Sequence, residues 1–295
     1  MANTKKNITE NKGKEMENIR FISLLNDVTF KTLWTNGKPL TKKFLYGIIT
    51  ETVGFDVSKF NLSTNEMGIT NYKSMANRVD ILLISKDERT KVNVELNKRH
   101  SISLDRKNDV YLYKLAGETY TRNNDAKSKP YNYDINVSQV NINNYSNPKL
   151  KLVPRIDYLV TDPVNKIVKE GITFHDLYLP IIKKVCYNTD NELYKNLAMF
   201  TAKNYEEMEE IAKGDEMREA VMEDLKKLGS DTEFVDLYDH EEFQKAVEEE
   251  MYNNGIAEGA QEEKMCIAKK MLERGMNSEE ISSITNLSIE EIEKL

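Results

Sequence analysis

Apolar and polar positions follow two different periods along this chain, and the change between them marks its organisation. Near 26–35, Val28, Phe30, Leu33 and Trp34 stand among polar neighbours; near 40–53, Leu40, Phe44, Leu45, Ile48, Ile49 and Val53 recur at helical spacing. Both segments predict amphipathic helices, the second stopped by Gly54. The period then shortens. Residues 78–85 (RVDILLIS) and 91–97 (KVNVELN) are β-branched runs separated by KDERT, which predicts a hairpin. A helix over about 102–121 points Leu104, Tyr111, Leu112 and Leu115 inward. Strands are expected at 134–143, 155–161, 164–169 and 172–179, with a turn at Asp162-Pro163.

From about 191 the pattern is helical throughout, with helices expected at 191–202, 204–213, 215–228, 231–253 and 258–274. Gly275 ends the last of these. Ser278 and Ser288 are placed to cap short helices at 279–285 and 289–294, and Ser288 with Glu291 has capping-box spacing. No repeat of 20–50 residues is visible. The expected division is a polar, disordered lead-in at 1–20, an α/β domain at 21–190 and a helical region at 191–295.

Charge sharpens that division. Residues 1–200 carry 31 Lys/Arg against 22 Asp/Glu, a net of +9, whereas 201–295 carry 11 against 27, a net of −16. Only the basic body suits phosphate; segregation for solubility is the plainer account of the same numbers. No apolar run has the length of a membrane span, and the opening residues carry no secretory h-region. Two cysteines, Cys186 and Cys266, lack CxxC spacing, so a zinc site or disulfide framework is not expected. These features predict a cytoplasmic protein.

The candidate chemistry lies in the hairpin. Asp80 interrupts an apolar run, Val79 to Ile84, and Glu95 lies in the next strand, where it shares a face with Asn97. If the strands pair, Asp80 comes close to Glu95, and two such carboxylates repel unless a cation or proton lies between them. Mg²⁺ suits oxygen ligands and can activate water beside a phosphate. Alternatively, these acids face solvent, with Asp80 paired to Arg78 or Lys91.

Taken in order, LLNDVTFKTLW (24–34), NRVDILLIS (77–85), VNVELN (92–97), DVYLYKLAGETY (109–120), VSQVNINNY (137–145) and the ending IAKKMLERGMNSEEISSITNLSIEEIEKL resemble the Rpn group of recombination-promoting nucleases and putative transposases, within the PD-(D/E)XK superfamily. The resemblance covers roughly 22–295. It implies an α/β, restriction-endonuclease-like core, a central mixed β-sheet flanked by helices, followed by the acidic helical region. It also implies Mg²⁺ (or Mn²⁺)-dependent hydrolysis of DNA. Asp80 and Glu95 would bind metal, with the Leu96 carbonyl as a further ligand and Asp27 as an auxiliary acid; Asp27 is equally a helix-N-terminal charge. Where the superfamily has lysine and the Rpn group usually glutamine, this chain has Asn97. An amide lacks the lysine charge and is shorter than glutamine. Lys98 points to the other face of a regular strand, and Arg99 returns to the right one only if the strand continues. A weakened or inactive scaffold that binds nucleic acid or protein is therefore the alternative.

Arg99, Arg106, Lys107 and Lys114 suit DNA phosphates or, equally, a solvated helix face. His100 reads as a surface residue; His175 and His240 have no ligand spacing. Tyr111, Tyr113 and Tyr120 read as packing residues. The last three helices have helix-turn-helix spacing, but Ile289–Glu293 is too acidic to approach DNA, so the C-terminal helices read as a protein contact, with a homo-oligomer as one outcome.

Overall fold

The structure, a computed structural model, describes residues 19–63, 81–122, 134–162, 164–165, 167–186 and 190–295. Residues 1–18 of the lead-in expected at 1–20 and the first residues of the expected 78–85 strand, Asp80 among them, lie outside the described residues; Arg20, expected in the lead-in, donates its N–H to the Gly229 carbonyl at 3.1 Å.

Helix α1 (Asp27–Asn36) starts where Asn26 caps it, the side-chain oxygen accepting from Thr29 N–H at 3.1 Å. Its apolar face buries Phe30, Leu33 and Trp34. Helix α2 (Pro39–Val53) has proline in its first turn and ends at Gly54, whose φ of 80° suits glycine. Leu40, expected inside, is exposed; Phe44, Leu45, Ile48 and Ile49 are buried.

Among the described residues one six-stranded sheet runs in the order β1-β2-β3-β4-β6-β5. Strands β1 (Asn61–Ser63), β2 (Ile81–Ile84) and β3 (Thr90–Asn97) are antiparallel. Helix α3 (Ile102–Arg122) then crosses to β4 (Asn136–Asn143), which lies parallel to β3. Strand β6 (Val168–Tyr178) is parallel to β4 and antiparallel to the edge strand β5 (Arg155–Thr161). The sheet is mixed, as expected. Strand β1 was not foreseen, because three polar-flanked residues carry no alternation. The runs expected at 164–169 and 172–179 are one strand: Asp162 accepts from the N–H groups of Val164 and Asn165, closing a turn, and β6 begins at Val168. The β5–β6 register shifts between Leu159 and Val160, and Gly171, at φ 108°, lies in the extra length of β6.

The period of two sorts the strands into two faces. Ile81, Leu83, Val92, Val94, Leu96, Val140, Ile142 and Leu177 enter the main core with α1 and α2. The opposite face is apolar at one end, where Leu82 and Val137 meet Leu112, Leu115 and Ala116 of α3. At the other end it is polar.

Helix α4 (Leu179–Val185) follows β6 directly, with Pro180 in its first turn, where a strand was expected to end. Helices α5 (Glu192–Ala198), α6 (Tyr205–Ala212) and α7 (Glu216–Gly229), with a 3₁₀ turn at Met199–Thr201, contribute Leu193, Leu197, Phe200, Met208, Val221 and Leu225 to the main core. The first compact unit runs to Tyr238.

The second unit is Asp239–Leu295. The helices expected at 231–253 and 258–274 are one, α8 (Thr232–Glu273). Gly255 and Gly259 do not break it, since a helical glycine costs only about 1 kcal/mol. Helices α9 (Ser278–Thr285) and α10 (Ile289–Ile292) pack on its last turns through Ala268, Ile281, Leu287 and Ile292. Ser288 caps α10 in a capping box with Glu291, as expected. Asn277 rather than Ser278 caps α9, because its side chain reaches Glu280 N–H. No described helix is long and apolar enough to cross a membrane.

Candidate active site

On the polar end of the α3-facing side, three strands place three residues each in register. Asn93, Glu95 and Asn97 of β3 stand beside Gln139, Asn141 and Asn143 of β4, and beside Phe174, Asp176 and Tyr178 of β6. Glu95 is only 2 % exposed. A carboxylate buried so deeply needs a positive or donating partner. It has both: Lys107 Nζ from α3 is 3.3 Å from Oε2, and Asn93 Nδ2 donates to Oε1 at 3.3 Å. Lys107 also lies 5.0 Å from the centre of the Tyr111 ring, which helps hold its ammonium over the sheet.

The amides continue from there in a directed chain. Asn93 Nδ2 donates to Gln139 Oε1 at 2.8 Å, Gln139 Nε2 to Asn141 Oδ1 at 2.8 Å, and Asn141 Nδ2 to Asp176 Oδ1 at 2.8 Å. A carboxylate acceptor at each end fixes the orientation of every amide between them. Tyr178 donates to the other oxygen of Asp176 at 3.0 Å, and Asn108 of α3 donates to Asn141 Oδ1 at 3.1 Å. Burial raises the pKa of the Asp176 carboxyl, with Asp105 adding to the effect, against hydrogen bonds that lower it.

Asn97 spends its amide inside the sheet: Nδ2 donates to Asn143 Oδ1 at 2.9 Å, and the side chain is buried. Strand β3 ends at Asn97, so Lys98 is half-buried at a bend and Arg99 is exposed, not on a continued strand. Leu96 faces the main core. Asp27 heads α1, in the first turn, where its charge suits the helix dipole. Arg106 and Lys114 are exposed on α3, whereas Lys107 is the member of the basic stretch that turns to the sheet. Tyr111 is buried as expected; Tyr113, expected to pack, is 61 % exposed. Asp80 is the residue before Ile81, and Ile81 pairs with Val94, the residue before Glu95.

The amide chain from Asn93 to Asn141, and its terminus Asp176, were not singled out from sequence. Their signal was present as N-x-E-x-N at 93–97 and Q-x-N-x-N at 139–143, polar residues repeating every second position inside otherwise apolar strands.

A buried acid on a mixed, helix-flanked sheet, with a lysine closing on it from the crossing helix, agrees with what comparison finds. A family model described as PD-(D/E)XK nuclease family transposase matches residues 24–284. The chain belongs to that family. The sheet and its flanking helices are accordingly the restriction-endonuclease-like α/β fold of PD-(D/E)XK nucleases, a group that supports a nuclease-type function and generally uses divalent metal ions. No curated protein and no solved structure matches the chain. Among the described residues, no group of three or more His, Cys, Asp or Glu side chains is gathered as a metal site; the expected PD-(D/E)XK partner of Glu95 is Asp80, outside them.

Proposed function

We propose that this protein is a divalent-metal-dependent DNA endonuclease whose centre is built on Glu95 and Asp80. The observation that carries the reading is Glu95 itself, a carboxylate 2 % exposed with Lys107 Nζ at 3.3 Å. An isolated buried acid is costly, and burying it beside a cation suits a site that binds charge. The antiparallel register supports Asp80 as its companion, since one further step beyond Ile81–Val94 would bring residue 80 opposite residue 95.

The available donors fit a hard divalent ion, Mg²⁺ or Mn²⁺, in kind: carboxylate oxygen from Glu95 and Asp80, with the Leu96 carbonyl as a third. Such an ion, when bound, supplies Lewis-acid activation of water and neutralises phosphate charge. The chain's own groups do the rest. Lys107 brings, from α3, the positive charge that Asn97 does not bring from β3. It is placed to orient an attacking water or to meet a phosphate oxygen. Asn97 then serves the β3–β4 pairing, and Lys98, released at the strand end, lies close enough in sequence to assist. Arg99, Arg106 and Lys114 contribute affinity for DNA phosphates without base choice. Asp27 is the auxiliary acid.

A second reading has its own observation. Lys107 and Asn93 already meet Glu95, and Asn97 is committed to Asn143, so both of these side chains have partners without a metal. This favours a decayed scaffold that binds nucleic acid or protein. Cleavage of DNA by the full chain in Mg²⁺, Mn²⁺ and EDTA separates the two. Asp80→Ala and Glu95→Ala are expected to lower cleavage by at least about 100-fold, and Lys107→Met by roughly 10- to 100-fold, with partial rescue by Lys107→Arg. Cleavage by Glu95→Ala equal to wild type sinks the assignment. Calorimetry without Mg²⁺ or Mn²⁺ uptake favours the scaffold.

A further inference from the structure

The far end of the amide chain opens into a cavity of about 350 Å³, bounded by α3, the segment 145–149, Tyr158 of β5 and the last residues of β6. That volume is within the range of small-ligand sites, roughly 300–1,000 Å³. We propose that this cavity receives a single unstacked nucleobase of the bound nucleic acid and prefers guanine; the proposal rests on the nuclease reading for its biological substrate.

Three observations converge on a base rather than a phosphate or a metal. The walls are aromatic. Tyr113 stands edge-to-face with Phe174 at 6.3 Å, His100 with Tyr145 at 5.4 Å, and Tyr145 with Tyr178 at 6.2 Å. Tyr113 and Tyr158 keep 61 % and 46 % of their surface exposed, so their rings are available to stack.

The floor consists of acceptors. Asp176 ends the amide chain, and Asp105 and Asp109 line the cavity with it. Asn108 also lines it. This side chain is 4 % exposed, its Nδ2 is committed to Asn141, and its Oδ1 has no hydrogen-bond partner in the structure. A buried acceptor left unmatched is costly unless something donates to it. The orientation is not arbitrary: Asp176 forces Asn141 Nδ2 outward, Asn141 Oδ1 therefore takes the Asn108 amino group, and the Asn108 oxygen is left over.

The charge decides the class of ligand. Three aspartates against Lys149 and His100 make the lining acidic, which repels phosphate and favours N–H donors. Guanine offers an N1–H and an amino group on one edge. Thymine sets its single imide N–H between two carbonyl oxygens, which would face carboxylates. The pocket therefore discriminates by rejecting unpaired acceptors, the stronger kind of selectivity.

Free nucleosides test this without catalysis. The full chain in EDTA is titrated with guanosine and with thymidine, binding being followed by saturation-transfer NMR and equilibrium dialysis. Guanosine is expected to bind at least about tenfold tighter. Tyr158→Ala should weaken guanosine roughly 5- to 150-fold by loss of a stacking face, and Asn108→Leu should weaken it while narrowing the preference. Thermal unfolding checks each variant; if Asn108→Leu fails to fold, Asp109→Asn on the exposed helix surface replaces it. Equal affinity for the two nucleosides, no binding at millimolar concentration, or unchanged affinity in Tyr158→Ala overturns the proposal. Cleavage mapping on mixed-sequence DNA separates the two ideas. Cutting without guanosine preference leaves the nuclease and removes the pocket. Guanosine selectivity without cutting does the reverse.

Discussion

At the scale of single residues, Glu95 stands out because an acid inside a β-branched run is costly to bury without a partner, and it is buried with Lys107 and Asn93 beside it. Lys107 could be found only as a member of a basic stretch, since nothing in the order of residues says which turn of a helix will face a strand 12 positions earlier. Its ion pair with Glu95 belongs to tertiary packing. Asn97 looked like a weakened catalytic position, and the structure gives it another occupation, the amide pair with Asn143. Gly171 shows the same limit. It reads as an ordinary glycine between two strands, yet its φ is 108° and a Cβ there would lie 2.9 Å from the Ile135 carbonyl oxygen. Gly171→Ala is expected to destabilise the fold by about 1–3 kcal/mol, read as a lower urea midpoint with an unchanged slope. A midpoint equal to wild type would show that the bulge relaxes freely.

At the scale of elements, the strongly periodic segments were legible nearly to their ends: α1, α2, α3, β3, β4 and β5 lie where alternation and helical spacing place them. Errors fell where local signals were equivocal. Two glycines suggested a break in α8, but a continuous helix tolerates them. The turn at Asp162 lies where its Asp-Pro signal places it, but a strand expected at 164–169 overlaps that turn and stops short of Gly171, so β6 was divided. Capping was partly hidden for a different reason. Helix α2 has no side-chain cap of its own at Lys38. Its N-terminus is served instead by Asp224 of α7, 183 residues on from Thr41, which accepts from Lys38 N–H at 2.8 Å and from Thr41 Oγ1 at 2.7 Å. The negative charge also meets the positive end of the α2 dipole. Asp224→Ala should therefore cost about 1–3 kcal/mol, since it leaves the buried Thr41 hydroxyl and the partly buried Lys38 N–H unmatched. Differential scanning calorimetry checks it; a Tm within a degree of wild type would mean that water replaces the carboxylate.

Across the whole molecule, the helices after residue 190 share the main core with the sheet through residue 238, and this could not be foreseen from an acidic composition that resembled a separate tail. The same compactness sets a pH dependence. His175 is buried between Asp157, at 2.7 Å from Nδ1, and Thr173, at 3.1 Å from Nε2. Desolvation holds its pKa below 6.5; Asp157 pulls the other way, and the Arg155 charge adds to the lowering. A base whose folded pKa is depressed contributes stability that is present above its unfolded pKa and lost as pH falls through the folded one. Burial would raise the Asp157 carboxyl, but Arg155 and His175 outweigh it, so its own contribution persists to below pH 3.8. Asp109 and Asp176, with raised pKa values, act in the opposite sense, so the informative quantity is a difference between variants. Wild type should lose more stability than His175→Gln between pH 7 and pH 5. Parallel Tm curves for the two would remove His175 as the cause.

The β2–β3 turn controls more than its surface position suggests. Strand β2 is apolar on both sides, Ile81 and Leu83 entering one core and Leu82 and Ile84 the other, so a slip of one position would leave it almost equally well buried. What prevents the slip is the clasp between Ser85 and Thr90, in which Ser85 N–H donates to the Thr90 carbonyl and Thr90 N–H donates to Ser85 Oγ, with Asp87 accepting from that hydroxyl and Glu88 in the left-handed region. The phasing of Glu95 against β2 is thus entrusted to a few hydrophilic residues, and in the proposed centre the length of that small loop is as much a determinant of the chemistry as any carboxylate.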